Sequence, residues 1–121
     1  MTISMATCKL LSPLIREIDN QVRKGNYLSR SEFIRYAIKA LEKNPFLIDT
    51  NITFMDQLMS QVLNGSIQEI EAENKVVSFK LPHKSANRLN YLSEEKQVSR
   101  SVIIRLGITL LLMEENDLQN T

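Results

Sequence analysis

Ser29-Arg30-Ser31 and Ser99-Arg100-Ser101 set the same two hydroxyls and one guanidinium at two places seventy positions apart. A serine ahead of a helix can cap its first turn, and a helix start offers orphan amides and the positive end of the peptide dipoles. That combination suits an anion, although plain capping explains the serines equally well and the two uses are compatible. The repetition is wider than these triplets. YLSRSEFIRYAI (27–38) returns as QVSRSVIIRLGI (97–108), with Ile34/Ile104, Arg35/Arg105 and Ile38/Ile108 also identical, so cap, charge and core positions all recur. For Arg35 and Arg105 the readings stay open between exposed helix charges and a phosphate or packing role.

Little else could do chemistry. His83 is the one histidine and Cys8 the one cysteine, and no glycine-rich phosphate loop is present. Catalysis and a metal centre are therefore not expected, and neither is a cofactor. Cys8 on an alternating segment is expected to face the core as an inert thiol. One cysteine excludes an internal disulfide framework and suits a reducing cytoplasm. No segment reads as a signal peptide or membrane span, so a cytoplasmic protein is expected.

The net charge of +1 hides an uneven distribution. Residues 1–43 hold eight Lys/Arg against four Asp/Glu, and 74–121 hold seven against five, whereas 44–73 hold five acids and no Lys or Arg. Two basic repeats thus flank an acidic connector. Local positive faces, rather than the total, govern attraction to polyanions. With 121 residues, one compact body is the expectation.

The elements that must position these residues follow from periodicity. In 75–82 Val77, Phe79 and Leu81 alternate with Val76, Ser78 and Lys80, which is a half-buried strand ended by Pro82. Ala86, Leu89 and Leu92, helped by Tyr91, mark a helix. Ser99 caps a second one through Ile103, Ile104, Gly107, Ile108 and Leu111, expected to fray in EENDLQNT. The first repeat has the same order. Matching Leu10 to Leu81 turns Ala6, Cys8 and Leu10 inward and Met5, Thr7 and Lys9 outward, and requires one extra residue between the helices, near Gly25. The alternative match of Leu11 to Leu81 would bury Lys9 unpaired, which is costly. Leu11, Leu14, Ile15, Ile18 and Val22 then form one helical stripe behind Ser12-Pro13, and Phe33, Ile34, Ala37, Ile38 and Leu41 form the next, ended by Asn44-Pro45. In the connector, Phe54, Leu58, Met59, Val62 and Leu63 predict a short amphipathic helix stopped by Asn64-Gly65. SIQEIEAEN (66–74) fits an extended lead-in, an edge strand or an acidic loop.

A strand and two helices of this size cannot bury their apolar faces alone. KVVSFKLPHKSANRLNYLSEEKQVSRSVIIRLGI resembles the ribbon-helix-helix (MetJ/Arc-type) DNA-binding family in its alternating strand ending in Leu-Pro, its amphipathic helix and its Ser-Arg-Ser opening a second helix. The first repeat resembles it mainly from Ile18 onward. The resemblance implies an α+β, mostly helical fold with four or five helices, in which residues 1–43 and 74–121 are two copies closing as a pseudo-dimer over a two-stranded antiparallel ribbon. It further implies a transcriptional regulator, repressor or activator being left open, reading double-stranded DNA in the major groove. On that reading Met5, Thr7, Lys9, Val76, Ser78 and Lys80 touch bases, and Ser29, Arg30, Ser31, Ser99, Arg100 and Ser101 touch phosphates.

Usual members carry one motif and dimerise, so here the ribbon could pair within the chain or between chains, with further self-association open. Tandem copies also resemble small regulators of archaeal viruses, which would place the protein in a host cytoplasm. The competing expectation is a protein-interaction module, an antitoxin or adaptor that uses the same fold for assembly.

Overall fold

The computed structural model describes residues 3–63 and 74–119. Strands β1 (Ile3–Leu11) and β2 (Asn74–Pro82) pair antiparallel, with Ile3 opposite Pro82, Thr7 opposite Ser78 and Leu11 opposite Asn74. Two lone strands are marginal in water unless one face is covered. Cys8, Leu10, Val77, Phe79 and Leu81 supply that face and are buried. Directly opposite residues share a face, so the alternation sends Met5, Thr7, Lys9, Val76, Ser78 and Lys80 together to the other side, where all are exposed. Lys9 is outward and Leu10 inward, the register expected from the cost of burying an unpaired lysine.

Each strand runs straight into a helix: β1 into α1 (Ser12–Arg23), which has Pro13 in its first turn, and β2 into α5 (His83–Lys96). The turns that follow differ. Residues 24–29 include Gly25 at φ +83°, a conformation that costs glycine little, whereas the shorter turn 97–99 uses Gln97 at φ 54°. The length difference between the repeats therefore sits between the helices, as expected.

Helices α2 (Arg30–Lys43) and α6 (Arg100–Gln119) pack against each other and roof the inner face of the sheet. Phe33, Ile34, Ala37, Ile38 and Leu41 from one meet Ile103, Ile104, Leu106, Ile108 and Leu112 from the other in a single core with Leu14, Ile18, Leu89 and Leu92. Backbones approach closely where Gly107 faces Ala37: a Cβ on Gly107 would lie 2.9 Å from the Ala37 carbonyl oxygen. Leu112 rather than Leu111 is the fully buried leucine.

Three expectations need correction. Helix α6 does not fray after Met113. It continues through Glu114 and Glu115 to Gln119, tied down by the Tyr27 hydroxyl, which donates to Glu115 at 2.9 Å, and by the connector packing on it. The connector holds the expected short amphipathic helix as α4 (Met55–Val62), but it also holds α3 (Phe46–Asn51) and a 3-10 turn (Ile52–Phe54), which were not expected. Ile48, Met59, Val62 and Leu63 are buried, while Phe54 lies in the 3-10 turn and points to water, 52% exposed. Tyr91 does not help the core. It is 53% exposed, with the Arg88 guanidinium 5.1 Å from its ring centroid, because α5 already buries Leu89 and Leu92, two and one positions away from it. Asn64-Gly65 and nearly all of 66–74 lie outside the described residues, Asn74 alone being the first residue of β2. Among the described residues no helix is long and apolar enough to cross a membrane.

Candidate nucleic-acid interface

The exposed face of the sheet has a symmetric composition. Thr7 and Ser78 face each other at its middle, Met5 lies opposite Lys80 on one side, and Val76 lies opposite Lys9 on the other. Hydroxyls therefore occupy the centre, and each flank carries one apolar side chain and one ammonium. Met5 and Val76 are 65% and 64% exposed, which is unusual for apolar residues on a strand. Ile3, not among the expected contacts, belongs to the same face at 59% exposed. Its signal was parity alone, since it lies two residues before Met5 on the strand.

Both Ser-Arg-Ser segments open helices beside this sheet. Ser29 is the cap of α2, and its Oγ accepts from the Glu32 amide at 3.2 Å. Glu32 reaches back, its Oε1 accepting from the Leu28 amide at 3.3 Å, so the pair works as a capping box that extends one residue further out. Ser99 acts alike at α6, accepting from the Val102 amide at 3.2 Å. Ser31 does something else: its Oγ accepts from the backbone amide of Lys80 at 3.3 Å, fastening the start of α2 to β2. On the β1 side, the Cys8 thiol lies 3.8 Å from the Ser101 carbonyl, which also receives Arg105 Nε at 3.3 Å. Burial pushes the Cys8 thiol up, more than the contact with Ser101 and the charge of Arg105 lower it. That is the behaviour of a packed, unreactive cysteine.

The two arginines are tethered. Arg30 forks onto Asp19 of α1 through Nε and Nη2 at 2.7 and 2.8 Å. The hydrogen bond from Arg30, strengthened by its charge, holds the Asp19 carboxyl below the usual carboxylate range despite partial burial. Arg100 Nη1 donates to Asn90 Oδ1 of α5 at 3.2 Å. One guanidinium is thus paired with a carboxylate and the other, among the described residues, with a neutral amide, so Arg100 keeps more of its field for an outside anion. Asp19 and Asn90 were not singled out in the sequence. The signal available was that both lie one residue after a core position, Ile18 and Leu89, that the repeat makes equivalent.

The structure thus brings the six ribbon residues onto one exposed face and sets both helix starts at its edges. Comparison with protein-family models, with curated proteins and with solved structures gave no match to this chain.

Proposed function

We propose that this protein is a sequence-specific double-stranded DNA-binding regulator that reads the major groove with the outer face of the β1/β2 ribbon. The observation that carries the reading is the ribbon face itself: six exposed side chains, drawn from two distant segments, that combine two ammoniums, two hydroxyls and two apolar groups. A two-stranded ribbon fits the major groove. Lysine can donate to guanine O6 or N7, the hydroxyls can donate or accept, and Met5 and Val76 can pack against a thymine methyl. The helix starts at Ser29 and Ser99 flank the ribbon where phosphates would run.

We further propose that the two repeats act as an intramolecular pseudo-dimer. Its support is the choice of partners at the centre: Thr7 pairs with Ser78, its counterpart in the second repeat, and Gly107 meets Ala37, again a counterpart. Unlike a true dimer, the halves are chemically unequal, as Asp19 and Asn90 show, so the bound site is expected to have unequal half-sites.

Affinity for duplex DNA measured at two salt concentrations tests the reading. Charged contacts to phosphates make affinity fall steeply as salt rises. Weak binding that is indifferent to salt would instead favour an interaction module built on the same fold.

A further inference from the structure

The repeats differ on the flanks of their central helices. In α6 the positions corresponding to Lys39, Glu42 and Lys43 of α2 are Thr109, Leu112 and Met113, which are buried or half-buried, and connector helix α4 packs on α6. On α2 the three polar residues instead line an open groove of about 1030 Å³, whose other wall is α5 from His83 to Tyr91, with Lys84, Arg88 and Tyr91. Lys39, Lys43, Lys84 and Arg88 are all exposed, and among the described residues Glu42 is the one acid lining the groove. Its Oε1 is buried with no hydrogen-bond partner. Four cations around one recessed acceptor are not a site for an apolar cover like the one on α6.

We infer that the groove between α2 and α5 docks an acidic peptide segment of a partner protein, with carboxylates at the four cationic side chains. This goes beyond the DNA reading and does not depend on it. Charge complementarity selects an acidic partner over an apolar one. A single chain also fits a concave channel between two helices, which a duplex does not enter.

The test uses the full chain, isotopically labelled, titrated with a hexaglutamate peptide and with its uncharged hexaglutamine counterpart. Hexaglutamate is expected to shift amide resonances around Lys39, Lys43, Arg88 and Tyr91, and hexaglutamine is expected not to. Replacing Lys39 and Lys43 together by Glu removes two attractive pairs and adds two repulsive ones, a loss of roughly tenfold in peptide affinity from exposed charges. Arg88→Glu should weaken it in the same direction should the double variant fold poorly, and Lys80→Ala should leave it unchanged. Shifts confined to the ribbon or the helix starts would overturn the inference, as would equal binding of hexaglutamine. Displacement of hexaglutamate from the groove by an unrelated duplex would overturn it too, by assigning the groove to nucleic acid.

Discussion

Gly107 of α6 approaches Ala37 of α2 so closely that a Cβ on Gly107 would stand 2.9 Å from the Ala37 carbonyl oxygen and 3.2 Å from its carbonyl carbon. Backbone cannot move aside as a flexible side chain would. Gly107→Ala gains about 1 kcal/mol of helix propensity but forces the two central helices apart, an overpacking cost of typically 1–3 kcal/mol. The expected outcome is a lower urea midpoint for Gly107→Ala and a further drop for Gly107→Val. A midpoint raised by Gly107→Ala would show that the helices are not locked at this crossing.

The Arg30–Asp19 pair makes a pH signature. Because Asp19 is held below its ordinary value of 3.8, its contribution is present above that value and is lost as pH falls through the lower folded value. Both side chains are well exposed, 49% and 36%, so screening limits the pair to about 0.5 kcal/mol. Urea unfolding at pH 7 and near pH 3 should show part of the acid loss disappearing in Asp19→Asn. The same variant frees Arg30, and its DNA affinity should rise with a steeper salt dependence.

Glu42 works in the opposite sense. Burial raises its carboxyl above the ordinary value of 4.5, more than the hydrogen bond with Ser85 and the charges of Arg88 and Lys39 lower it. A carboxyl raised on folding favours the native state at low pH and loses that contribution as pH rises through the folded value. Glu42→Gln should therefore be more stable than the parent at pH 8, with the difference shrinking toward pH 4. Thermal melts at the two pH values check this.

Ser31 and Ser29 should separate on substitution, though both open α2. Ser29→Ala removes the cap and should cost about 1 kcal/mol. Ser31→Ala leaves the Lys80 amide without its side-chain acceptor, at a cost of about 1 kcal/mol, and also loosens β2 locally. Hydrogen exchange distinguishes them: faster exchange at Lys80 is expected for Ser31→Ala and not for Ser29→Ala.

Much of this was legible from residue order because the two periods involved are strict. A period of two placed Lys9 and Lys80 outward and Phe79 inward, since a one-residue slip would have buried a charge. The 3.6 period placed Ile18, Phe33, Leu89 and Ile104 in the core. In the connector only α4 was legible, through Met59, Val62 and Leu63; the stretch before it, Phe46 to Phe54, was not, because its two pieces are too short to establish a period. The tethering of Arg30 and Arg100 was invisible for a related reason: Asp19 and Asn90 lie on neighbouring helices, and only tertiary packing brings them within reach. Tyr91 misled because an aromatic at a near-core position on α5 reads as buried, whereas its ring lies against Arg88 at the surface.

Base reading by Lys9 and Lys80 is tested most directly by selecting duplexes from a random-sequence pool with the parent chain, Lys9→Ala, Lys80→Ala and Arg100→Ala, and comparing the preferred base at each position. The expected result is one enriched site in which Lys9→Ala and Lys80→Ala each relax preference at a different half, while Arg100→Ala weakens binding to all sequences alike. Uniform weakening by all three substitutions, or a parent chain that enriches no sequence, would contradict a ribbon that reads DNA.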